Sequence, residues 1–306
     1  MGSNSMQLRN YQLMLFLFCI SSIYLTGCAH SNGELYPSAY KGPKKRVAVV
    51  GFSIHARTYG VSGLDRILIE MLTTSLFRTG NFELVERKEI ERVFQEQKFQ
   101  LSDMVDPATA VEIGKILGAQ AIVTGAITET GFQAGSFIVN TTVCRVGIDV
   151  RIIDVATARV LMAESGTGKS YAGGSIIFNE DALNEVRKKS LEIWISKALR
   201  NAAEDVVKKI DMQMANVPWV GLIAHFSANS VFINAGQDIG LRTGDMLEAF
   251  RCVSKIIDPI TKEIIGCEEL KIGELLITNT KQKLSEALPK NGSGFKIGDS
   301  VRLIGR

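Results

Sequence analysis

Val47-Ala48-Val49-Val50-Gly51-Phe52 decides how the chain is read, because six consecutive apolar or small residues ending in Gly-Phe predict a short strand buried on both faces. After a polar loop, Leu64, Ile67, Leu68, Met71, Leu72 and Leu76 recur at helical spacing, and Gly80-Asn81 stops that helix. Phe82 to Val85 reads as a second strand. A polar helix then starts near Glu86, with Ile90, Val93 and Phe94 on one side. A third helix begins at Pro107, capped by Asp106, and runs through Ile113 and Leu117 to Gly118. Ala121 to Thr128 returns as a strand. This alternation implies an α/β sandwich with a mainly parallel sheet.

Further on the strands lengthen. Phe137 to Asp154 alternates Ile138, Val146, Ile148, Val150 and Ile152 against Arg145, Asp149 and Arg151, and a tight turn at Asp154–Arg159 leads to Val160-Leu161-Met162-Ala163. The segment Gly166 to Gly174 precedes a helix from Glu180 to Ile210, whose buried stripe is Leu191, Trp194, Ala198, Leu199, Ala202, Val206 and Ile210. Met212 to Pro218 is a linker, and everything after it is β-like. Gly240-Leu241-Arg242-Thr243-Gly244-Asp245 recurs in kind as Gly294-Phe295-Lys296-Ile297-Gly298-Asp299, two equivalent turns that close a small barrel. The turns at Asp154 and Asp258 both place a residue other than glycine, Ala158 and Lys262, at the left-handed position, a cost of about 1–2 kcal/mol each.

Upstream, one cation, Arg9, precedes an apolar run from Leu13 to Ile20 that is continued by Ile23-Tyr24-Leu25. This is a secretory signal too short for a comfortable membrane span. It ends in Leu25-Thr26-Gly27-Cys28, which resembles a bacterial lipobox. The resemblance implies cleavage before Cys28, a diacylglycerol on its thiol and a fatty acyl chain such as palmitate on its new amine. Several chains together give a stable anchor. Ala29 stands where an aspartate would resemble an inner-membrane retention signal, so the expected address is the periplasmic face of the outer membrane. Residues 28 to 46, with Gly33, Pro37, Gly42 and Pro43, form a polar tether.

The whole chain carries 35 cationic and 32 acidic residues. Removing residues 1–27 takes away only Arg9, so the near-neutral balance persists and gives no footprint for nucleic acid. The length of 306 residues suits two domains, 47–211 and 217–306. Once Cys19 is removed and Cys28 acylated, three thiols remain. Only Cys252 and Cys267 look like disulfide partners, flanking the turn Asp258-Pro259-Ile260-Thr261 in an oxidising compartment.

Little in the chain suggests chemistry. Ala163-Glu164-Ser165-Gly166-Thr167-Gly168-Lys169-Ser170 satisfies the loose phosphate-loop pattern, but Tyr171-Ala172-Gly173-Gly174 follows where a helix should start. That stretch reads instead as a flexible hairpin or loop. His30, His55 and His225 show neither metal-ligand nor triad-like spacing, and Asp149 and Asp154 read as surface and turn residues. No catalytic residue, metal ligand or cofactor is expected.

Lys44-Lys45-Arg46-Val47-Ala48-Val49, Phe82-Glu83-Leu84-Val85-Glu86-Arg87, Ile113-Gly114-Lys115-Ile116-Leu117-Gly118-Ala119, Ile122-Val123-Thr124-Gly125 and Val150-Arg151-Ile152-Ile153-Asp154 together resemble the CsgG family, named for the curli secretion channel. The resemblance covers residues 45 to about 210. It implies a periplasmic α/β domain like the amino-terminal domain of TolB, with an extended β-hairpin region. It also implies homo-oligomeric rings, in which each subunit of the channel members gives two amphipathic hairpins to a shared membrane barrel. Here Thr128 to Arg151 supplies one modest hairpin, and a full second one is hard to find. Val231-Phe232-Ile233-Asn234 followed by the glycine-aspartate turns resembles the carboxy-terminal domain of flagellar assembly protein T, of a periplasmic motor ring. The expected function is an outer-membrane-anchored, oligomeric, non-enzymatic assembly or transport lipoprotein that serves an exported protein or an envelope machine. The alternative is a non-pore structural ring or adaptor of such a machine.

Overall fold

Strand β1 (Lys45–Ile54) runs through the middle of a layered body, and its side chains feed two cores in alternation. Val47 and Val49 point into one, and Ala48 and Val50 into the other. This is the double burial that the apolar run predicts. The computed structural model describes residues 42–97, 107–134, 141–173, 184–227, 230–260, 262 and 264–305. The signal segment, Cys28, the tether up to residue 41, Asp106 and residues 135–140 lie outside the described residues.

After β1 come α1 (Leu64–Thr79), β2 (Phe82–Leu84), α2 (Arg87–Gln97), α3 (Pro107–Ile116), β3 (Ala121–Ala134), β4 (Thr141–Asp154), β5 (Val160–Gly173) and α4 (Asn184–Met214). The sheet order is β2-β1-β3-β4-β5. β1 is parallel to β2 and β3, whereas β3, β4 and β5 are antiparallel neighbours. The sheet is therefore mixed rather than mainly parallel, because tight connections replace helical crossovers after β3. α1 and α4 cover one face, and α2 and α3 cover part of the other.

The glycine-rich stretch departs from its sequence reading. Gly166 to Gly173 is the second half of β5, paired with β4 from Gly166↔Ile148 to Gly173↔Thr141. Its glycines answer to the helix above them. A Cβ on Gly168 would lie 1.9 Å from the Ala198 carbonyl oxygen and 2.5 Å from the Ala202 nitrogen, and one on Gly166 would lie 2.5 Å from the Ala202 oxygen. With Ala198 and Ala202 opposite, α4 lies backbone-close on β5, and Leu199, Val206, Ile210 and Met214 fill the core beside it.

Six further strands, β6 (Gly221–Phe226), β7 (Val231–Ile233), β8 (Met246–Ile257), β9 (Ile264–Thr280), β10 (Ser285–Gly292) and β11 (Ser300–Gly305), form a closed barrel in the order β10-β7-β6-β11-β8-β9. The two glycine-aspartate turns are equivalent in detail. Arg242 N donates to Asp245 Oδ2 at 3.0 Å, and Lys296 N to Asp299 Oδ2 at 2.8 Å. Gly244 N donates to Ile277 O and Ile277 N to Asp245 O, while Gly298 N donates to Ile223 O and Ile223 N to Asp299 O. Gly244 (φ 96°) and Gly298 (φ 89°) hold conformations that L side chains rarely adopt. These counterparts share one offset, the 54 positions that separate Glu248 from Arg302, themselves paired across β8 and β11. The barrel is thus two copies of one strand-strand-turn-strand unit.

Candidate functional site

Each feature singled out for chemistry has a structural explanation. Lys169 is exposed in mid-strand, opposite Arg145 of β4. Thr167 N donates to Asp205 Oδ2 at 3.2 Å and the Ser170 hydroxyl donates to Trp194 O at 2.8 Å, so this stretch binds α4 instead of cradling phosphate. Asp149 accepts from the Ser165 hydroxyl at 2.6 Å on the sheet surface. Asp154 accepts from the Thr157 amide and hydroxyl at 2.6 and 2.7 Å, holding the turn in which Ala158 has φ 63°. His55, just after β1, and His225, on β6, are both exposed. Among the described residues no group of three His, Cys, Asp or Glu side chains could hold a metal. Cys144 is buried, and desolvation pushes its thiol up to about 11, partly opposed by the Ser170 hydroxyl.

The long strands β3, β4 and β5 carry the geometry that bears on assembly. On one face Ile127, Val146, Ile148, Val150 and Ile152 join the core beneath α1 and α4. On the other, Glu129, Arg145, Asp149, Arg151 and Lys169 are exposed. A wall in lipid needs an outward apolar band, so these described stretches are not membrane-facing strands. The outermost core residues are Phe132 on β3, met edge-on by Tyr59 at 4.9 Å, Cys144 on β4 and Ser170 on β5.

The barrel has a projecting arm where β8 and β9 continue as a two-stranded ribbon. Pairing runs out to Ile257↔Ile264, and Cys252 and Cys267 are joined with Cα atoms 5.7 Å apart. Cys252 is paired with Glu269 and Cys267 with Lys255, so the cysteines are diagonal neighbours across the ribbon and not direct partners. Val253, Ile256 and Ile257 are exposed, and Ile260 in the tip turn is 88% exposed. At the arm's base, Glu248 accepts from Arg302 and lies 3.0 Å from Lys271. Those donors hold its carboxyl below the usual range despite partial burial. Arg251 grips Asp299 through Nε and Nη2 at 2.6 and 2.7 Å.

Sequence reasoning missed a buried ionic cluster. Lys45 opens β1 almost without exposure; desolvation lowers its ammonium to about 8, partly opposed by the Asp211 carboxylate near the end of α4. Asn81 Nδ2 donates to Asp211 Oδ1 at 2.5 Å, linking α4 to the loop before β2. Lysine at a domain edge ordinarily signals a solvated charge, and the alternation that would place Lys45 inward becomes visible only with the whole strand.

Residues 38–225 match the family described as "Curli production assembly/transport component CsgG". The chain belongs to the CsgG family. With that membership goes the coarse assignment, a lipoprotein of the cell envelope. An uncharacterized protein of Aquifex aeolicus is 37% identical over 60 residues, 20% of this chain and 12% of that protein, so the chain spans about an eighth of that relative's length. Among solved structures, lipoprotein GNA1162 from Neisseria meningitidis aligns over 49% of this chain and 96% of its own at 14% identity and a TM-score of 0.35. The PelC dodecamer from Paraburkholderia phytofirmans aligns over 58% and 92% at 15% identity and a TM-score of 0.32. The LpoB carboxy-terminal domain from Salmonella enterica aligns over 44% and 87% at 14% identity and a TM-score of 0.31.

Proposed function

We propose that this CsgG-family chain is an outer-membrane lipoprotein, acylated at Cys28, that faces the periplasm and assembles into a ring without lining a pore. In this reading it is an oligomeric, non-catalytic assembly or transport component. Residues 47–211 build the ring and the barrel of 217–306 presents the contact surface to an exported protein or an envelope machine, a flagellar motor ring being one such machine.

Chain length between core-packed residues carries the reading. A membrane hairpin needs two strands of about 9–11 residues and a turn, roughly 20 residues in all. Only residues 133–143 separate Phe132 from Cys144, and only 171–183 separate Ser170 from the start of α4 at Asn184. Either segment is enough for a loop beyond the sheet and too short for a membrane hairpin. Family membership supplies the envelope context, and the charged open face of β3–β5 favours an aqueous setting.

Cryo-microscopy of the lipidated chain in mild detergent, paired with planar-bilayer recording, tests this. The expected result is a ring held outside the micelle by its acyl chains, with no conductance. Density for 133–143 and 171–183 crossing the micelle, with stepwise currents, would overturn the non-pore reading, and monomers at all concentrations would overturn assembly.

A further inference from the structure

β5 is an end strand of its sheet and presents an outer edge 14 residues long, whereas the opposite end strand, β2, has only 3 residues. Antiparallel neighbours exchange both backbone bonds at every second residue, so alternate residues of an end strand turn their N–H and C=O away from the sheet. A long row of such groups is a template for another strand. Pairing of β5 with β4 runs without a register shift from Met162 to Gly173, so Ser165, Thr167 and Lys169 face the same way along it.

Three side chains of α4 occupy that row. Asn201 Nδ2 donates to Lys169 O at 2.8 Å, Thr167 N donates to Asp205 Oδ2 at 3.2 Å, and Lys209 Nζ donates to Ser165 O at 2.5 Å. The helix residues stand four apart and the strand residues two apart, in opposite chain directions. Four helical residues advance about 6.0 Å and two strand residues about 6.6 Å, so helix and strand keep step over these rungs. Lys209 Nζ also lies 3.2 Å from Asp205 Oδ2, which ties two rungs together. Asn201 is exposed and the other two side chains are partly so, hence water would serve the same backbone groups and the bonds add little stability. Their effect on an incoming strand is larger. Such a strand must displace all three side chains and strip water from the Asp205 carboxylate and the Lys209 ammonium.

We propose that Asn201, Asp205 and Lys209 guard the outer edge of β5 and close residues 165–169 to strand addition by a second copy of this chain. A second copy is the strand donor that the edge must refuse, because β5 can pair with β5 antiparallel about a twofold axis, a self-complementary contact that every copy offers to every other. The short β2 needs no such device, since three residues template little. In the ring proposed above, subunits then meet through surfaces other than this edge, a consequence that rests on that reading. The guard itself belongs to each subunit and holds with or without a ring.

Sedimentation velocity of the full lipidated chain in mild detergent, over a concentration series, compares the parent with a variant combining Asn201→Ala, Asp205→Ala and Lys209→Ala. The guard is read from the difference between variant and parent, so a monomeric parent counts against the ring alone. Alanine suits a helix, and melting of the triple variant should match the parent. The variant is expected to form species of at least twice the parent's particle mass, at concentrations at least tenfold below any at which the parent does. Amide exchange at residues 165–169 should slow in those species. Adding Thr167→Pro, which removes an outward N–H and leaves the β4 ladder intact, should abolish them, and Asp205→Asn or Lys209→Arg, which still bond the edge, should behave as the parent. If the triple variant melts below the parent, Asp205→Ala alone carries the same comparison, since it frees Thr167 N. The parent's size distribution at every concentration, larger species that survive Thr167→Pro, or larger species without slowed exchange in β5 would overturn the proposal.

Discussion

Gly168→Ala should be among the most damaging single-methyl additions this fold can receive. The added carbon would lie 1.9 Å from Ala198 O and 2.5 Å from Ala202 N, both backbone atoms of α4. Non-bonded heavy atoms ordinarily sit about 3.5–4.0 Å apart, so the helix would have to withdraw by more than about 1 Å. Withdrawal loosens Ala198, Leu199, Ala202 and Val206, all fully buried. Overpacking costs typically about 1–3 kcal/mol, and a clash with main chain, which cannot rotate away, belongs at the upper end. At about 2–4 °C per kcal/mol for a body of this size, the expected loss in Tm is roughly 6–12 °C by differential scanning calorimetry. Gly131→Ala is the control, since nothing lies within 4 Å of its added carbon and its φ is ordinary, and it should melt within about 2 °C of the parent. A Gly168→Ala protein that melts with the parent would refute the close approach of α4 and with it the account of this glycine-rich strand.

Ala158→Gly and Lys262→Gly relieve left-handed backbone at φ 63° and 62°; against the entropy glycine brings to the unfolded chain, each should gain up to about 1 kcal/mol in chemical denaturation, and a loss would contradict the turn geometry. Replacing Cys252 and Cys267 with serine removes a link across 15 residues, worth about 3 kcal/mol at most. Limited trypsinolysis should then cut at Lys255 and Lys262 up to roughly a hundredfold faster, and an unchanged rate would show that the ribbon is held by something else. Glu248 has its folded pKa depressed by Arg302 and Lys271. Its stabilising contribution is therefore complete above the unfolded carboxylate pKa of about 4.3 and is lost as pH falls through the lower folded value. Glu248→Gln should flatten the acid limb of a Tm-against-pH curve, and an identical limb would remove Glu248 from the acid response.

The sequence is legible where burial alone selects the residue. Val47–Phe52, the stripe of α1, and Val146, Ile148, Val150 and Ile152 show their faces through period and polarity, and these elements occur where the pattern puts them. The second half of β5 is illegible because its glycines are selected by contact with a helix roughly 30 residues later, so local propensity points to a loop. The mixed sheet hides for a similar reason: strand direction depends on connections whose path no local pattern encodes. The equivalent barrel turns are readable because each needs left-handed glycine and a buried aspartate at fixed spacing.

The barrel's closure also sets the order in which its chain can be completed. β11, residues Ser300–Gly305, fits between β6 and β8, pairing Val301 with Gly221 on one side and with Ala249 on the other. Until that strand is made, β6 and β8 each present an open edge, and no earlier strand can seal it. At about 5–20 residues per second of synthesis, the wait after β6 emerges lasts several seconds, during which two unsatisfied edges can template wrong pairing. A nascent chain of this kind benefits from being kept extended, or shielded by a chaperone, until its final strand arrives.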